Sequence, residues 1–84
     1  MNGQEAAYRR LVGKRVRSER IWQERSQDEL AGKAGVTRNF VSAIERGAQG
    51  LDAYRLQRIA EALGVSFNDL MAEADSPLEH RRRG

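Results

Sequence analysis

SQDELAGKAGVTRNFVSAIERG, residues 26–47, is the stretch that decides how this chain folds. Ser26 and Glu29 stand three residues apart ahead of an apolar run. Such a pair caps a helix start reciprocally: the serine oxygen takes a backbone N–H of the first turn, and the carboxylate returns to the serine N–H. A helix therefore begins at Gln27, with Leu30, Ala31 and Ala34 at helical spacing. Gly35 ends it, because the left-handed conformation that closes a helix is cheap only without a Cβ. Thr37, two places on, is an N-cap for the next helix. Two short helices joined by a glycine turn make a helix-turn-helix.

Laid out at about 100° per residue, the second helix sorts into two sides. Val41 and Ile44 cluster on one. Arg38, Asn39, Ser42, Ala43 and Arg46 lie opposite, a stripe without a carboxylate. The chemistry of that stripe suits DNA: Arg pairs with guanine, Asn with adenine, and a small Ala lets the helix sit deep or touch a thymine methyl. A solvated helix face has a similar polarity, so the stripe alone leaves both readings open.

The motifs extend well beyond this segment. V-G-K-R-V-R-x-x-R opens at Val12, S-Q-x-x-L-A-x-x-A-G-V-T at Ser26, V-S-x-I-E-R-G at Val41 and L-x-x-I-A-x-A-L-G-V-S-x-x-x-L at Leu56. In these residues and their spacing the chain resembles the helix-turn-helix family of lambdoid phage repressors, Cro proteins and their bacterial relatives, the XRE family. The resemblance implies an all-α fold: a compact five-helix lambda-repressor-like DNA-binding domain over residues 1–74, with a flexible basic tail over 75–84. It also implies a sequence-specific transcriptional regulator, a repressor, reading a palindromic operator in double-stranded DNA as a homodimer. The R-x-F-V-S-x-I-E-R-G helix and the small size further resemble restriction-modification controller proteins. An antitoxin or a protein-interaction adaptor on the same fold is the alternative, its protein partner unspecified.

Roles follow from that resemblance together with side-chain chemistry. Gln27, at a helix N-terminus with free N–H groups and a positive dipole end, is expected as a phosphate clamp. Thr37, Ser42, Arg46 and Gln49 are expected as further phosphate contacts, which set register rather than read sequence. Arg38, Asn39 and Ala43 are the expected base readers, Ala43 through apolar contact alone. The family pairs an Arg of its first helix with the Glu after the last apolar residue of the recognition helix, which here means Arg20 with Glu45. Phe40 is read either as a core ring or as a ring partly exposed to the DNA backbone.

The chain departs from the family in two places. Relatives commonly carry Gly near position 24 and an apolar residue at 25, where this chain has Glu24 and Arg25, so Ile21 or Trp22 is expected to supply the missing cover. Relatives often place Lys or Arg in the loop that here reads Gly47-Ala48-Gln49-Gly50.

Composition bounds the rest. The 84 residues carry a net charge of +3, with 39% hydrophobic and 32% charged residues, which suits one small soluble domain. No apolar run approaches the roughly 20 residues of a membrane span and no signal-peptide pattern opens the sequence, so a cytoplasmic location without membrane contact is expected. With no Cys and a lone His80 in a charged segment, neither a metal nor another cofactor is expected, and no catalytic residue stands out. Residues 8–25 hold seven basic side chains against two acidic ones, a local +5, while residues 52–79 sum to −4. That asymmetry attracts phosphate to one end.

The remaining helices are expected over residues 5–23, with Tyr8, Leu11, Val12 and Val16 inward, and over 53–63, capped by Asp52 and ended by Gly64. A short fifth helix over 67–72 is capped by Ser66. Phe67, Leu70 and Met71 are the expected dimer contact, because a short final helix has little of its own domain left to cover it.

Overall fold

A computed structural model describes residues 3–50 and 52–71, which form five α-helices and, among those residues, no strand. They are α1 (Gly3–Trp22), α2 (Gln27–Ala34), α3 (Arg38–Glu45), α4 (Ala53–Leu63) and α5 (Phe67–Met71). The expected tail, with His80, lies outside the described residues.

Helix starts follow the local chemistry. Glu29 N–H donates to Ser26 Oγ at 3.0 Å, and Ser26 N–H donates to Glu29 Oε1 at 2.7 Å, so both halves of the capping box form. Thr37 Oγ1 accepts from Phe40 N–H at 3.0 Å, Asp52 Oδ1 from Arg55 N–H at 3.1 Å, and Ser66 Oγ from Asp69 N–H at 2.9 Å.

Helix ends share one device. After each of the first four helices a residue of positive φ lets the following N–H reach back five residues: Arg25 to Arg20, Val36 to Ala31, Ala48 to Ala43 and Val65 to Ala60. Three of the positive-φ residues are Gly35, Gly47 and Gly64. The first is Glu24, at φ 57°, a conformation that costs a residue with a Cβ about 1–2 kcal/mol. Glu24 therefore keeps the backbone turn that a glycine would make more easily.

The core is built from Val12 and Val16 of α1, Leu30 of α2, Val41 and Ile44 of α3, Leu56 and Ile59 of α4, and Leu70 of α5, all buried. α3 packs against both α1 and α2, while α2 also packs on α4 and α1 meets α5. The α1–α3 crossing is close because position 13 is glycine. A Cβ there would lie 2.9 Å from Glu45 O and closer still to Ile44 O. Tyr8 packs against the core and Leu11 is half-buried, as far inward as α1 turns them.

Three expectations are corrected. Ile21 and Trp22 do not cover the α1–α2 connection: they are 51% and 57% exposed. Polar side chains close that corner instead, with Gln23 Nε2 donating to Leu63 O at 2.7 Å and Arg25 Nη1 to Ala62 O at 2.8 Å. Leu70, expected at a dimer contact, is fully buried in its own domain and offers no surface for one. Arg15, counted among the phosphate-attracting charges, is buried and donates to Leu70 O at 3.2 Å.

A common cause links these bonds. The last carbonyls of a helix have no intrahelical partner and carry the negative end of its dipole, which side-chain donors satisfy, basic ones most favourably. Arg25 and Gln23 serve the end of α4, Arg15 and the Tyr8 hydroxyl the end of α5, and Arg58 Nε the last carbonyl of α2, Ala34 O, at 2.6 Å. Arg15 and Arg25, two of the basic side chains that the sequence offers to phosphate, are thus engaged at helix ends.

Candidate nucleic-acid interface

The exposed edge of the helix-turn-helix is where the starts of α2 and α3 come together. Their N-caps fix both backbones, and Leu30 and Val41, fully buried, hold the two helices in one register. What remains outside is the face read from the sequence. Arg38 and Asn39, the first two residues of α3, are exposed. Ser42 and Ala43, one turn on, are half-buried, and Arg46 is exposed at the α3 C-cap. Phe40 turns inward and is buried, so the ring is a core group.

α3 is tied to its scaffold by charge. Arg20 Nε donates to Glu45 Oε2 at 2.7 Å and Arg20 Nη2 to Glu45 Oε1 at 3.0 Å, a two-pronged bond between α1 and the last residue of α3. The two side chains are only 12% and 4% exposed. The hydrogen bond to Glu45 raises the Arg20 pKa, burial opposes it, and the charge attraction adds to it. The third guanidinium nitrogen, Nη1, donates to Arg25 O at 2.7 Å, so one side chain joins α1, the loop into α2 and α3.

Gln27 joins the same cluster. Its Nε2 donates to Glu45 Oε1 at 3.1 Å, which directs one amide N–H inward from the helix edge where a phosphate contact was expected. The Thr37 oxygen accepts the α3 capping bond, and its hydroxyl proton takes no part in that bond. Gln49 is half-buried in the loop after α3. Gly47 in that loop rests on α1: a Cβ on it would lie 3.2 Å from Arg10 Cα.

Two groups at this edge escaped the sequence reading. Asp28, in the first turn of α2, stands 3.6 Å from Arg38, between its Oδ1 and the arginine Nε. Nothing local signals this, since the two residues meet only when α2 and α3 pack. Arg55 lies over the Phe40 ring with Cζ 4.6 Å from its centroid, while its Nε reaches Asp52 Oδ2 at 3.0 Å. The Asp52 half of that contact is legible as an i,i+3 pair, the aromatic half is not. Those bonds from Arg55 hold the Asp52 carboxyl below its ordinary 3.8, the backbone N–H first and the guanidinium second.

Among the described residues no group of His, Cys, Asp and Glu side chains could hold a metal ion, and no helix is long and apolar enough to cross a membrane. The arrangement offers hydrogen-bond donors on the exposed face of a helix.

Comparison with known proteins points the same way. The family model described as helix-turn-helix, HTH_3, matches residues 16–70. The regulator y4aM of Sinorhizobium fredii, an uncharacterised HTH-type transcriptional regulator, is 44% identical over 69 residues, which are 77% of this chain and 48% of that protein. The chain thus spans about half the length of that relative. Control protein C.BamHI of Bacillus amyloliquefaciens is 36% identical over 64 residues, 75% of this chain and 79% of the other. Among solved structures, the restriction-modification controller protein C.AhdI from Aeromonas hydrophila superposes with a TM-score of 0.73 at 30% identity, covering 76% of this chain and 97% of its own.

Proposed function

From a chain that belongs to the helix-turn-helix family, we propose a sequence-specific DNA-binding regulator of transcription, which sets the start of α3 into the major groove of an operator. The observation that carries the reading is the exposed pair Arg38 and Asn39 at the N-terminus of a helix that Arg20 and Glu45 clamp to its scaffold. A base-reading helix needs donors that reach outward and a backbone that does not move when they bind. In this reading Arg38 and Asn39 read bases and Ala43 adds apolar contact. Gln27, Thr37, Ser42, Arg46 and Gln49 set the register on phosphates. Regulation is by repression in the cytoplasm, and no catalytic step is assigned.

Eight residues of α3 span too few base pairs for specific affinity, so the reading includes a two-fold homodimer with half-sites about one helical turn apart. Phe67 and Met71, half-buried on α5 against the core, are the contact it assigns, without Leu70. A small controller of the C.BamHI and C.AhdI kind is the subtype it favours, supported by the high coverage of both of those proteins.

Selection of bound sequences from a random duplex pool tests the reading. The expected result is a symmetric consensus with half-site centres near 10 base pairs apart. Arg38→Ala should cost about 1–3 kcal/mol on that consensus and relax one guanine per half-site, whereas Gln27→Ala should weaken binding evenly across sequences. An asymmetric single site, or equal loss for Arg38→Ala on consensus and random DNA, would refute it.

A further inference from the structure

The stripe on α3 carries no carboxylate, yet the structure brings one to it from the neighbouring helix. Asp28 Oδ1 stands 3.6 Å from Arg38 Nε, the side chains being 77% and 61% exposed. At that length the contact is an ion pair rather than a hydrogen bond. The two backbones beneath it are anchored by the Ser26 capping box and the Thr37 cap, so the pairing is set by how α2 and α3 pack. In water such an exposed pair contributes little. It gains strength where a DNA groove excludes water, because charge attraction grows as the local dielectric falls.

An acidic group here has a cost. Asp28 suits the dipole of α2 from its first turn, but on the edge that the proposed reading sets against phosphates its charge opposes association. Its neighbour Glu29 is occupied by the capping box, whereas Asp28 points across to the next helix. The contact engages Nε, which leaves the end-on fork of Nη1 and Nη2 outside the pair and available to a ligand. That fork is the pair of donors that matches O6 and N7 of guanine.

We propose that Asp28 is a positioning residue for Arg38, holding its guanidinium end-on for guanine and away from the phosphates. The proposal rests on the reading of Arg38 as a base reader and extends it to what gives that residue its selectivity. A free arginine on a four-bond stem pairs with phosphate as readily as with a base edge, and an aspartate at its Nε favours the second pose over the first.

The test is selection from a random duplex pool with wild type, Asp28→Ala, Asp28→Glu, Arg38→Ala and the Asp28→Ala/Arg38→Ala double variant, with affinity for random duplex measured at one salt concentration. Arg38→Ala is expected to abolish one guanine preference per half-site. Asp28→Ala should weaken that same preference about fivefold without lowering affinity for random DNA, Asp28→Glu should restore part of it, and the double variant should match Arg38→Ala. Full guanine preference in Arg38→Ala overturns the base-reading assignment, and this inference with it. Loss in Arg38→Ala with full preference in Asp28→Ala overturns the positioning role alone. A cytosine preference that disappears only when Asp28 is removed, or a uniform loss on consensus and random DNA, overturns it too.

Discussion

Replacing Arg20 with methionine strands a buried carboxylate, and the size of that effect can be worked from the contacts around it. The substitution removes the bonds of 2.7 and 3.0 Å to Glu45 and the 2.7 Å bond to Arg25 O. Methionine fills much of the volume of the arginine stem, so the cavity term is small and the electrostatic term dominates. Breaking a buried pair by removing one partner costs about 3–5 kcal/mol. Glu45, 4% exposed, keeps the 3.1 Å bond from Gln27 Nε2, which places Arg20→Met at the lower end, about 3 kcal/mol. In a domain of this size that lowers Tm by about 12–24 °C. Thermal melts followed by circular dichroism, with the exposed Arg17→Met as control, measure it. The Arg20→Met/Glu45→Leu double variant should recover most of the loss, because an apolar pair of similar volume replaces an ion pair at little cost. A Tm for Arg20→Met equal to that of Arg17→Met, or a double variant no better than the single, would refute the buried-pair argument.

Gly13→Ala pushes a Cβ into the carbonyls of Ile44 and Glu45, so urea denaturation should show a loss of about 3 kcal/mol as a lower midpoint at unchanged slope; a neutral result would mean that α1 and α3 can separate freely. Leu70→Ala should destabilise the folded domain by about 2–5 kcal/mol, while Met71→Asp should shift sedimentation toward monomer with less effect on Tm; the opposite pattern would return Leu70 to the interface. Asp52→Ala should lower Tm at neutral pH. The Asp52 pKa is depressed in the fold, so its contribution is present above 3.8 and disappears as pH falls through the folded value; melts that keep the same gap well below that pH would rule out a charged cap. Glu24→Gly should raise Tm modestly, the relief of a left-handed residue exceeding the added freedom of the unfolded chain, and a lower Tm would show that the Glu24 side chain matters more than its backbone.

The sequence by itself determined the elements and their limits. Ser26 with Glu29, Thr37, Asp52 and Ser66 as caps, and Gly35 and Gly64 as stops, act on backbone groups within about one turn, so their partners are printed beside them in the chain. The apolar spacing likewise picked out the core of α2, α3 and α4. The outward stripe on α3 was legible for the same reason, and the pairing of Arg20 with Glu45 could be expected only through resemblance to a known family.

What the tertiary structure decided are the encounters between residues far apart. Arg15 meets a carbonyl 55 residues away, Gln23 one 40 away and Arg25 one 37 away. A charge count reads those arginines and a solvated surface alike, because the choice between phosphate and a helix end depends on which carbonyls lie within reach. The exposure of Trp22, the full burial of Leu70, the close approach at Gly13 and the meeting of Asp28 with Arg38 belong to the same class. Each is set by how two helices cross, and helix packing is a property of the assembled faces that no window of a few residues contains.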